Sequence, residues 1–133
     1  MAVSQINQVL IGTDETTGDT ITNNGTDTGV EVDLLGGTIA LGYANIYLKF
    51  TSTVTAGSLD ITLIHRPVTG QPYSDVPNPL DLKRSYAPIN GTQKILCWRM
   101  VPISRYMSVT ILNNATGANA TNVLVRAEVF KIT

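Results

Sequence analysis

The sequence predicts an all-β fold, an antiparallel β-sandwich of jelly-roll type with about eight strands, on three observations. First, apolar and polar residues alternate with a period of two in several runs. Ala44, Ile46, Leu48 and Phe50, for example, are set against Asn45, Tyr47, Lys49 and Thr51. Second, clusters of Gly, Asn, Asp and Thr break those runs at the short spacing of strand connections. Third, no long segment repeats at the helical period.

In chain order, residues 3–11 are a short, mostly apolar run that suits an edge strand or an arm. Residues 12–29 are rich in Thr, Asp, Asn and Gly with Ile21 as their strongly apolar residue, which predicts a long exposed loop. The chain thus divides into an N-terminal arm and polar loop, residues 1–29, and a β-sandwich domain, residues 30–133, within one domain overall. Residues 30–35 read as a strand ending at Gly36 and Gly37. The alternating run around Ala44 to Thr51 turns at Thr55-Ala56-Gly57-Ser58 into a hairpin partner carrying Leu59, Ile61 and Leu63. Pro67, Pro72, Pro77 and Pro79 crowd the next stretch, and proline donates nothing to a ladder, so a long surface loop follows. Residues 83–87 suit a short edge strand, and Asn90-Gly91 is a turn signal. Residues 93–100 and 106–112 are two further strands joined through Pro102, and residues 122–132 are the last.

At 133 residues the chain is long enough for one core, and 43% hydrophobic residues argue against wholesale disorder. Charged residues are 14%, against about 25% in an ordinary soluble domain. A surface hidden by other chains explains that figure, as does a Thr- and Asn-rich surface that stays soluble without charge. The first 48 residues hold Asp14, Glu15, Asp19, Asp27, Glu31 and Asp33 with no Lys or Arg; from Lys49 onward nine basic residues face four acidic ones. The halves therefore carry about −6 and +5. A nucleic-acid binder would lack the matching acidic half. Neutralisation within one fold accounts for the split; so does docking of one copy's acidic segment on a neighbour's basic face.

Little in the sequence supports catalysis. The single His65 has no metal-ligating neighbour in sequence, no nucleophile elbow surrounds Ser104, and no phosphate-binding glycine loop is present. Asp14, Glu15 and Asp19 do not match a calcium loop. The lone Cys97, in an apolar context, reads as a buried small side chain. Trp98 and the five tyrosines fill core and interface positions or line a sugar-binding face. No apolar run reaches membrane-spanning length, and no signal peptide is expected, so four Asn-x-Thr sites read as turn chemistry rather than glycosylation acceptors. The expectation is a non-enzyme with no cofactor or metal.

The Pro102-x-x-Arg105-Tyr106 step into an alternating strand, then a loop and a last strand, resembles small virion proteins of tailed bacteriophages. The likeness is to the β-sandwich or jelly-roll decoration (cement) proteins of phage heads. Asp33-Leu34, a long strand, the Thr55-Ala56-Gly57 turn and a further strand are similar in layout upstream. The resemblance covers residues 30–133 in layout rather than identity, and transfers no binding residue. It implies a homo-oligomer, typically a trimer, that binds the major capsid protein on the outside of an assembled capsid and bridges capsomers. It implies no nucleic acid or membrane partner, and a place on the virion surface after synthesis in the host cytoplasm. Loop length and composition select Asp14, Glu15, Asp19, Pro67, Pro72, Tyr73, Pro77, Arg105 and Tyr106 as contact residues. A head–tail connector or tail protein, or a carbohydrate-binding module, are the alternatives.

Overall fold

The computed structural model describes residues 3–14, 16–33, 40–66, 82–100 and 106–132. Ten strands run β1 (Val3–Ile11), β2 (Asp19–Ile21), β3 (Thr26–Thr28), β4 (Val32–Asp33), β5 (Ala40–Ser52), β6 (Ser58–Arg66), β7 (Leu82–Tyr86), β8 (Gly91–Met100), β9 (Tyr106–Asn114) and β10 (Ala120–Ile132). All their pairings are antiparallel.

The period-two pattern is what drives these strands together. Ala44, Ile46, Leu48 and Phe50 of β5 are buried, and so are Leu59, Ile61 and Leu63 of β6. Met107, Val109 and Ile111 of β9 and Val125, Ala127 and Val129 of β10 complete one continuous core. Each such Leu, Ile or Phe contributes roughly 1.5–3 kcal/mol by leaving water, much of it offset by lost chain entropy. Small meets large across the central pair, with Ala44 opposite Val129 and Ala127 opposite Ile46.

The strand order defines the fold. One sheet runs β1-β10-β5-β8, with β2 also on β10; the other runs β3-β9-β6-β7, with β4 also on β9. Because β1 and β2 share a neighbour, as do β3 and β4, the ten pieces occupy eight ladder positions. In those positions the sheets read 1-8-3-6 and 2-7-4-5, the double Greek key of a jelly roll. On β8 the register passes from Ile46↔Trp98 to Tyr47↔Leu96, so Cys97 is the extra residue of a bulge.

The segment read as a loop, residues 12–29, is corrected: it contains β2 and β3, paired with β10 and β9. Three-residue polar strands are too short to show a period, and their ladders come from partners far along the chain. The arm reading of residues 3–11 is likewise replaced by an edge strand hydrogen-bonded along β10. Leu10, Ile11 and Ile21 join the same core as β5 to β10, so the packing shows no break after residue 29. Gly29 fits because a Cβ there would collide with the Leu10 carbonyl oxygen. The strand expected over residues 30–35 is limited to Val32–Asp33 within the described residues.

Candidate interaction surfaces

The chain crosses between sheets from β2 to β3, and an acidic corner forms there. Asp19 and Asp27 line a hollow of about 390 Å³ with Thr20, Ile21, Thr22, Gly25 and Thr26. Burial, then a hydrogen bond to Asp19 and its charge, push Asp27 up to about 6, against an opposing Thr28 N–H. In its protonated form the Asp27 carboxyl hydrogen-bonds Asp19, and the pair joins one sheet to the other. Asp14 is self-contained: the Thr16 and Thr17 N–H groups donate to its Oδ1 at 2.8 Å each, with the Thr16 hydroxyl at 2.9 Å. Those donors, Thr16 N–H first, hold its carboxyl below the usual range.

Beside this corner the β2–β3 turn is laced to the β9–β10 loop. Asn113, fully buried, donates from Nδ2 to the Ile21 carbonyl at 3.0 Å and the Ala118 carbonyl at 2.8 Å. Its Oδ1 accepts the Thr116 hydroxyl at 2.6 Å. Asn24 Oδ1 accepts the Ala115 N–H, and Asn23 Oδ1 accepts the Gly117 N–H. Asn24 and Ala115 adopt positive φ, 61° and 54°. These asparagines do the turn work expected of Asn-rich loops.

The outer face of the first sheet is a series of cross-strand rows. Phe130 stacks on Tyr43 with ring centroids 4.6 Å apart. In the next row Asn45 donates to Glu128 at 3.2 Å and accepts from Arg99 Nε at 3.0 Å. Arg126 lies opposite Tyr47, which faces Leu96, 45% exposed. Lys49 then lies directly opposite Lys94. Lys49, Lys94 and Arg126 ring a hollow of about 250 Å³ whose other walls are Tyr47, Leu48, Ile95 and Leu124. Among the described residues no acidic side chain lines it.

The opposite side of the sandwich is closed by edge strands β7 and β8. Arg84 lies 5.9 Å from the centre of the Trp98 ring, a cation–π contact across the two sheets. Burial and then a hydrogen bond with Cys97 raise the Tyr86 hydroxyl far above its ordinary value. Burial pushes the Cys97 thiol up as well, so it is a packed side chain rather than a nucleophile. His65 lies on β6 opposite Met107. Among the described residues no group of three or more His, Cys, Asp or Glu is placed to hold a metal ion, and no helix is long and apolar enough to cross a membrane.

Of the contact residues chosen from the sequence, Asp19 forms part of the acidic corner, while Asp14 is held by its own Thr16 and Thr17 turn. Tyr106 opens β9, opposite Asp33 on one side and Arg66 on the other. Glu15, Pro67, Pro72, Tyr73, Pro77 and Arg105 lie outside the described residues. Sequence reasoning missed Asp27 and the group Lys49, Lys94 and Arg126. The signal for the lysines was partly present, since Lys49 stands on the polar parity of β5, but its cross-strand neighbour follows only from register.

No family model matches the sequence, and no curated protein matches it. Among solved structures, the chain is similar to the decameric BFDV capsid protein at 12% identity, over 96% of this chain and 93% of that one, with a TM-score of 0.39. The jelly-roll assignment rests on the strand order given above.

Proposed function

We propose that this chain is a structural virion protein that binds the outside of an assembled phage capsid and stabilises it by bridging capsomers. Its partners are the major capsid protein and further copies of itself, with a homotrimer as the expected unit. The observation that carries the reading is the double-Greek-key sandwich whose distinctive chemistry lies on its outer surfaces, in shallow hollows and edges. Such a stiff framework supports several weak contacts at once, and multivalency makes release require all of them to open together. The Pro-rich segment at residues 67–79 is the proposed capsid contact and the acidic corner the proposed contact between copies; the reading assigns no chemical step and no cofactor. It places the protein on the virion surface after synthesis in the host cytoplasm.

The test is co-sedimentation of the purified chain with capsids that lack it. Saturable binding and a higher rupture temperature are expected, both weakened when residues 67–79 are replaced by a Gly-Ser linker of equal length. Truncation of residues 1–28 is unsuitable, since it removes β1 together with Leu10, Ile11 and Ile21 of the core. Absence of binding at any concentration would sink the proposal. A carbohydrate-binding module is the second reading, favoured by the Tyr43–Phe130 stack with Tyr43 43% exposed; specific retention on a glycan array would support it instead.

A further inference from the structure

Six basic residues lie among the described side chains, and three of them are matched within the chain. Arg84 lies over Trp98. Lys83 acts on Asp60, whose carboxyl also takes hydrogen bonds from Ser58 and Asn114. Arg99 is held by Asn45, which in turn holds Glu128. Lys49, Lys94 and Arg126 are different: no described residue engages them in a hydrogen bond or ion pair. Two of the three stand directly opposite each other on neighbouring strands. Like charges in that position destabilise a sheet. An apolar floor of Leu124, Ile95 and the Tyr47 ring lies between them.

The acidic corner carries the mirror image of this conflict. Asp19 and Asp27, on strands of opposite sheets, are close enough for one carboxyl to hydrogen-bond the other. Asp19 and Asp27 are the charged groups of that hollow, whose remaining walls are Thr, Gly and Ile. Across the ladders Asp19 faces Val123 and Asp27 faces Ile111, both apolar and buried. Among the described residues no cation relieves the pair.

We propose that the Lys49–Lys94–Arg126 hollow is a docking site for a second copy of this chain, which presents the Asp19–Asp27 corner to it. The proposal rests on the assembling role argued above and names the surfaces that meet. Each patch repels itself in the isolated chain, and each supplies the counter-charge the other lacks. The two patches are different surfaces, so the contact is heterologous: every copy offers one corner and one hollow. Such contacts propagate and close into a ring when the rotation allows, as a trimer would. Docking replaces the proton of Asp27 with cations, so association below about pH 6 releases a proton and strengthens as pH rises through that value.

The test is sedimentation velocity on the full chain and on two charge reversals, Lys94→Glu and Asp19→Lys, with thermal melts to establish that each is folded. The wild type is expected to self-associate, more strongly at about pH 7.5 than at about pH 5 and less in high salt. Each reversal alone should weaken association about tenfold or more. An equimolar mixture of the two should recover association between unlike copies, because each then meets an opposite charge on the other, while a closed ring of three would keep one mismatched contact. Should Asp19→Lys not fold, Asp19→Asn and Lys49→Gln give the same single-variant reading. Folded variants that assemble like the wild type would overturn the proposal while leaving the assembling role intact. A wild type that stays monomeric yet still coats capsids would overturn it in the same way, and one that does neither removes both readings. Salt-sensitive binding of a single-stranded oligonucleotide lost in Lys94→Glu, without self-association, would assign the hollow to nucleic acid and overturn the proposal.

Discussion

The laced loops around Asn113 and the outer face around Lys94 hold their polar groups in opposite ways. At the loops each side chain has a complement inside the fold: Asn113 meets two carbonyls and a hydroxyl, and Asn23 and Asn24 take up N–H groups of the facing loop. On the face, Lys49, Lys94 and Arg126 ring a hollow to which no described residue brings a carboxylate. The contrast separates two uses of polarity. Internally matched groups fix the crossing between sheets and act on folding; unmatched ones leave folding nearly unchanged and act on what touches the surface.

The sharpest way to break this comparison is Asn113→Ala. It strands the buried Ile21 carbonyl and removes the Asn113 bonds to the Ala118 carbonyl and the Thr116 hydroxyl, which keep each other as partners. A loss of about 2 kcal/mol is therefore expected, read as a melting temperature lower by roughly 7 °C. A change near zero would put the loops in the same category as the face. Thr116→Val keeps the shape and removes the hydroxyl that reaches the Asn113 Oδ1 and the Ala118 carbonyl, which keeps its bond from Asn113 Nδ2. It should cost about 1–2 kcal/mol in urea unfolding.

Asp27→Asn sits between the two regions and sharpens the contrast through pH. A carboxyl raised in the folded state binds more protons there than in the unfolded chain. Stability from this pair is therefore greatest below about pH 4 and falls as pH climbs through about 6. The amide variant should match the wild type in acid and exceed it at neutral pH by about 1 kcal/mol, after allowance for solvent screening. Parallel melts across pH decide it; a flat difference between the two proteins would mean that Asp27 titrates as it does in the unfolded chain. The smallest effect belongs to Lys94→Gln, which relieves the repulsion with Lys49. It should raise stability by about 0.3 kcal/mol at low salt and by nothing at high salt.

The long strands were legible in the sequence because their burial follows period two: Leu59, Ile61 and Leu63 on β6, and Val125, Ala127 and Val129 on β10. The short strands were not, because Asp19–Ile21 and Thr26–Thr28 owe their conformation to β10 and β9, about a hundred and about ninety residues away along the chain. Ile21 alone marked the segment as part of the core. The unequal charge of the two halves was visible in the composition. That Lys49 meets Lys94, and Asp19 meets Asp27, depends on register and on the crossing between sheets, neither of which a local pattern encodes.

The bulge on β8 has a practical use. It turns the single thiol of the chain inward, at 6% exposure, where burial keeps it protonated. A cysteine introduced at an exposed position such as Thr92 would then be the one group to react with a maleimide dye. Native sulfur chemistry supplies a silent background, so each surface can be footprinted separately in free and assembled protein.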